Sequence, residues 1–126
     1  MKRLVILAPW VALILLSLLP LRSAQAAELV MVEQPGCYYC QLWDSEIASI
    51  YPKTAAGKFA PLRREQLRAL PTELTFTRPV SYTPTFVLIQ DNIEIGRLEG
   101  YPGKDFFWWH IETMLEKRTT FTKPLQ

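Results

Sequence analysis

The sequence is poor in the residues that most metal and hydrolytic chemistry requires. Its 126 residues include one histidine, His110, and two cysteines, Cys37 and Cys40. A structural zinc site takes four ligands, which two cysteines and one histidine do not supply. A Cys–His hydrolase would need His110 beside Cys37, and no local signature links the two. The five glycines form no phosphate cradle, and the chain has neither an internal repeat nor a low-complexity block. An excess of charge of one sign is missing as well. Fourteen basic against 12 acidic residues give a formal charge of +2, too little for the electrostatic footprint of a nucleic-acid or anionic-membrane binder. Composition is otherwise that of a globular protein, 49% hydrophobic and 21% charged, so wholesale disorder is excluded. The length suffices for one domain with a core of its own.

The opening stands apart from these averages. Leu4 to Leu21 carries no charge and a single hydroxyl, Ser17; Lys2-Arg3 precede it and Ala24-Gln25-Ala26 follow shortly after. A basic start, an apolar run and a small-x-small site describe a secretory signal peptide over residues 1–26. Cleavage after Ala26 removes Lys2, Arg3 and Arg22 and no acid, taking the formal charge to −1. Left uncleaved, the same run is long enough to serve as a membrane anchor, although Pro9 and Pro20 interrupt it. No cysteine lies just after it to take a lipid. Either way the remainder is delivered across the membrane.

Export makes the cysteine pair informative. Only Tyr38-Tyr39 separate Cys37 from Cys40, and a disulfide stabilises chiefly by closing a long loop. This pair is a poor staple and a good redox switch. Glu28 to Glu33 is a short β-branched run that predicts a strand, and Gln34-Pro35-Gly36 ends it. Trp43, Ile47 and Ile50 then recur at helical spacing until Tyr51-Pro52. Cys-x-x-Cys therefore opens a helix, where unpaired N–H groups and the positive end of the dipole favour a thiolate. Cys37 is predicted to be the nucleophile, with a depressed pKa. Cys40, one turn on, is placed to resolve a mixed disulfide.

A strand, a turn and a helix opened by Cys-x-x-Cys resemble the thioredoxin superfamily. Tyr82-Thr83-Pro84 before the strand pattern Thr85 to Ile89 is similar to that family's cis-proline loop. Ile93 to Leu98 reads as the next strand through an Asp91-Asn92 hairpin turn, and after Gly100-Tyr101-Pro102-Gly103 a helix from Asp105 carries Phe107, Ile111, Met114 and Leu115 on one side. The resemblance implies an α/β thioredoxin-like fold, a central mixed sheet flanked by helices, over residues 27–118. It implies no cofactor beyond the redox-active Cys37–Cys40 disulfide, and it makes Thr83 and Pro84 the substrate-facing loop. Tyr38 and Tyr39 offer flat apolar surface beside the nucleophile for docking a substrate.

Glu33-Gln-Pro-Gly-Cys-x-x-Cys, Trp43-Asp44, Tyr51 to Thr54, Ala60 to Arg64 and Gly100 to Gly103 further resemble the small periplasmic thioredoxins of bacterial sulfur-oxidation (Sox) systems. That resemblance implies a periplasmic reductase of protein disulfides or mixed disulfides that keeps a sulfur-carrier cysteine in working state, supplied with electrons by a membrane thiol transporter. The sequence departs from ordinary thioredoxins at the motif, where Tyr38-Tyr39 replace Gly-Pro and Gly36 replaces Trp. Met31 stands where they keep a buried aspartate, leaving Glu33 as the substitute proton acceptor. The motif type suggests a potential of about −200 mV. A general periplasmic disulfide reductase, isomerase or oxidase would share the same cysteines. A thioredoxin-fold module holding copper(I) between Cys37 and Cys40 is the reading from a different class.

Elsewhere the sequence is less informative. Leu62 to Leu67 suits a strand or a short helix by pattern, and the family topology asks for a strand. Arg63 and Arg64 read as solvated, Arg68 to Val80 as a loop or an irregular helix, and residues 119–126 as a loose tail. His110 falls at the edge of the last helix's apolar face. Phe106 to Trp109 cannot all point inward, so one or two form a small exposed patch.

Overall fold

The computed structural model describes residues 26–125; the expected signal segment lies almost wholly outside them. Chain order is strand β1 (Glu28–Glu33), helix α1 (Tyr38–Trp43) continued by a π turn (Asp44–Ala48), a 3-10 turn (Tyr51–Lys53), α2 (Ala55–Phe59), β2 (Leu62–Gln66), a second 3-10 turn (Leu67–Ala69), β3 (Thr85–Gln90), β4 (Ile93–Glu99) and α3 (Lys104–Arg118). The strands form one mixed sheet in the order β2-β1-β3-β4. β1 runs parallel to β2 and antiparallel to β3, and β3 is antiparallel to β4. Leu62 to Gln66 is thus a strand, and a crossover through α1 and α2 separates it from its parallel neighbour, as parallel pairing demands. Among the described residues no helix is long and apolar enough to cross a membrane.

Period-two alternation sends β1 into two cores. Leu29 and Met31 join Phe86, Leu88, Trp43, Phe107, Ile111 and Leu115 beneath the helices. Val30 and Val32 join Val87, Ile89 and Leu74 on the other face. That second face is covered by the segment from Leu67 to Val80, which brings Leu67, Leu70, Phe76 and Val80 against it. Beyond one 3-10 turn this segment has no helix of its own, so side chains and ion pairs hold it down. Arg97, nearly buried, donates to Glu94 at 2.6 and 2.7 Å and to the Arg78 carbonyl at 2.8 Å, while the Thr77 amide donates to Glu94 at 2.8 Å.

Two expectations change at this level. Trp43 and Ile47 are fully buried, but Ile50 is exposed and Tyr51 takes the next core position. The π turn lengthens the repeat beyond 3.6 residues, so the buried side chains fall at intervals of four and four instead of four and three. The tail after Arg118 is pinned at Phe121, which is buried with its ring 5.3 Å from that of Phe59. The Asp91-Asn92 turn has both residues at positive φ, 52° and 62°, the geometry that matches the twist of a two-residue hairpin.

Candidate active site

The site forms where β1 runs out. Gly36 at φ +76° turns the chain, and the Cys37 amide closes that turn by donating to the Gln34 carbonyl at 3.3 Å. Cys37 is the N-cap of α1, with extended backbone, and its Sγ accepts the Cys40 amide at 3.2 Å. Cys37 and Cys40 are joined as a disulfide with Cα atoms 5.3 Å apart. Cys37 is 9% exposed and Cys40 4%; the sulfur of the less buried residue is the one that receives a backbone N–H. The Cys40 amide at the start of α1 is thus directed at Cys37 Sγ, a placement that suits a thiolate.

Tyr38 and Tyr39 point outward, 68% and 54% exposed, with rings edge-to-face at 5.3 Å. The Thr83–Pro84 peptide is cis. Strand pairing of Val32 with Thr85 brings the loop beside the end of β1. Thr85 Oγ1 donates to the Tyr82 carbonyl at 2.7 Å, and the Gly100 amide donates to the Pro84 carbonyl at 2.7 Å. Tyr82, 65% exposed, adds a third aromatic next to this loop. Gln34 Nε2 donates to Thr83 Oγ1 at 2.8 Å, tying the turn before Cys37 to the loop. The sequence-predicted Cys37, Cys40, Thr83 and Pro84 therefore sit on two segments linked through Gln34, a residue that sequence reasoning passed over although it lies inside the Glu33-Gln-Pro-Gly motif.

Met31 is fully buried under the helices, so no acid occupies the place that ordinary thioredoxins give to aspartate. Glu33 is a poor substitute, because its carboxylate accepts from Arg64 Nη1 at 2.7 Å and from Gln66 Nε2 at 3.4 Å. Arg64 is not simply solvated. Its second arm donates to Asp44, and its guanidinium carbon lies 5.5 Å from the centroid of the Trp43 ring. Arg63, on the other face, bridges Glu28, Glu65 and Glu73. Tyr101 donates its hydroxyl to Glu46 in the π turn; burial first, and that carboxylate second, push the Tyr101 phenol up. His110 is exposed, stacked on Trp109 at 5.1 Å, in the groove between α3 and β4. Phe106 and Trp109 are the exposed members of the aromatic run, and Trp108 stacks on Tyr51 at 6.0 Å. Among the described residues no three His, Cys, Asp or Glu side chains cluster as metal ligands.

Comparison with known proteins gives concordant results. A family profile described as a thioredoxin-like domain matches residues 21–115. Among solved structures, the reduced form of the periplasmic thioredoxin SoxS from Paracoccus pantotrophus is 52% identical, with a TM-score of 0.70, over 72% of this chain and 97% of that one. No curated protein matches the chain.

Proposed function

Since the chain belongs to the thioredoxin-like family, we propose that it is a periplasmic reductase whose substrate is the cysteine of a sulfur-carrier protein. Thiol–disulfide exchange through Cys37 and Cys40 is the activity that the family and the disulfide establish; compartment, direction and substrate are the finer reading. The observation that carries it is the 52% identity to the periplasmic thioredoxin SoxS; the asymmetric pair, with Cys37 Sγ receiving the Cys40 amide and Cys40 the more buried residue, supports Cys37 as the attacking cysteine. The similar protein's description as a periplasmic thioredoxin supports the compartment, and the signal-like residues 1–26 agree with it.

In this reading the Cys37 thiolate attacks the disulfide sulfur of the substrate and releases one substrate thiolate. The mixed disulfide then holds the substrate across the Thr83–Pro84 loop, against Tyr38 and Tyr39. Cys40 loses its proton and attacks Cys37 Sγ, regenerating the protein disulfide and releasing the second thiolate; two electrons have passed to the substrate. No buried acid lies at residue 31 to accept that proton, so water serves. A membrane thiol transporter returns the electrons, since the compartment itself is oxidising.

Cys40→Ser is expected to trap a covalent complex through Cys37, and Cys37→Ser to abolish turnover. The decisive measurement is a pull-down with exported Cys40→Ser from cells oxidising sulfur compounds. A single carrier protein released by reductant supports the dedicated reductase. A broad ladder of exported proteins points to a general reductase or isomerase, and no covalent partner at all overturns the enzymatic reading.

A further inference from the structure

Arg64 closes a ring around the cysteines. Glu33, four residues before Cys37, and Asp44, four residues after Cys40, are both held by its guanidinium, Glu33 at 2.7 Å. Arg64 stands on β2 in register with Met31 of β1, so the sheet fixes its base. Its head lies over Trp43, which is fully buried with Phe86 and Phe107 at 5.4 and 5.8 Å between ring centroids. The covalent tie between Cys37 and Cys40 disappears on reduction. Cys37 then sits on a glycine turn outside the helix and Cys40 inside it. The Arg64 fork is independent of that bond: it joins Glu33, at the end of the strand before the first cysteine, to Asp44, which caps the helix of the second.

We propose that Arg64 is a positioning residue for the second step of exchange: its two arms hold the Cys40 helix against the Cys37 turn so that Cys40 Sγ stays in line with a mixed disulfide on Cys37. The inference rests on the exchange reaction proposed above. A planar guanidinium grips two carboxylates at once, whereas a lysine ammonium supplies the charge without the fork. Small misplacements of a reacting group are costly in rate, and the arms on either side of the motif act on that placement.

The test uses the reduced chain and the aromatic disulfide dithiobis(nitrobenzoate). Cys37 attacks one sulfur of the probe, forming a Cys37–aryl mixed disulfide and releasing one aryl thiolate. Cys40, having lost its proton to water, attacks Cys37 Sγ and releases the second aryl thiolate as the protein disulfide forms. The first phase depends on probe concentration and the second does not, so the two separate by stopped flow. Arg64→Gln is expected to slow the second phase about tenfold while the first changes less than about twofold, because access to Cys37 is untouched. Arg64→Lys is expected to remain as slow as Arg64→Gln. Asp44→Asn, which leaves the bond to Glu33, is expected to slow the same phase. A lysine variant at the wild-type rate overturns the brace in favour of charge alone. An unchanged second phase in Arg64→Gln, or both phases falling together with a lowered melting temperature, also overturns it. A wild-type chain that releases only one thiolate overturns the exchange reading itself, and the brace with it.

Discussion

Tyr51 shows how much a single side chain decides here. Its ring fills the core position that the π turn opens, and its hydroxyl donates to the Ala60 carbonyl at 2.7 Å. Desolvation pushes that phenol's pKa up. The Tyr51 carbonyl accepts from Thr54 Oγ1, which in turn caps α2 by accepting the Gly57 amide at 3.0 Å. A Cβ on Gly57 would lie 1.9 Å from the Tyr51 carbonyl oxygen, so Gly57→Ala is expected to cost about 3 kcal/mol, read from denaturant melts. Tyr51→Phe, which only strands the Ala60 carbonyl, is expected to cost about 1–2 kcal/mol. A Gly57→Ala protein as stable as the parent would show that this knot relaxes freely. Cys37 and Cys40 were legible in the sequence because their spacing has one dominant chemical use. Gln34 and Arg64 were not, since their value lies in partners 49, 31 and 20 residues away, and polar residues at such separations look like any solvated surface.

Among the elements, the strands around the site were readable as short apolar, β-branched runs bounded by turn residues, and β1, β3, β4 and α3 lie where those runs and the helical spacing put them. The segment from Leu67 to Val80 was not readable, because its apolar residues follow neither helical nor strand spacing. Its place on the sheet is set by Glu94 and Arg97, with nearly buried side chains. Desolvation works to raise the Glu94 carboxyl, but bonds from Arg97 and the Thr77 amide outweigh it and hold the pKa below the usual carboxylate range. A lowered folded pKa contributes stability that is present above the unfolded carboxylate value and lost as pH falls through the folded one. Glu94→Gln is therefore expected to destabilise the protein by about 2 kcal/mol at neutral pH, because Arg97 loses its nearly buried partner and keeps only the carboxylate of Glu99, 3.2 Å away. The difference from the parent should shrink in acid, and amide exchange at Thr75 and Thr77 should quicken first. A pH-independent difference would place the cause in packing instead of charge.

For the whole molecule, the consequence of a two-residue disulfide loop is that the fold does not depend on the bond. The model of chain entropy gives such a loop at most about 2 kcal/mol, against cores on both sides of the sheet. Melting with and without reductant is expected to differ by less than about 15 °C; loss of cooperative melting on reduction would mean that the pair is a staple after all. The sheet margins carry a different implication. β2 presents Arg63, Arg64 and Glu65, all ion-paired, and the start of β4 is occupied by Thr75 through hydrogen bonds to Asn92 and Glu94. Charged or covered edges discourage strand addition. A sheet so bordered is a poor template for aggregation, and it leaves the end that carries Cys37 and Cys40, where Tyr38, Tyr39 and Tyr82 are exposed, as the margin suited to thiol exchange with another polypeptide.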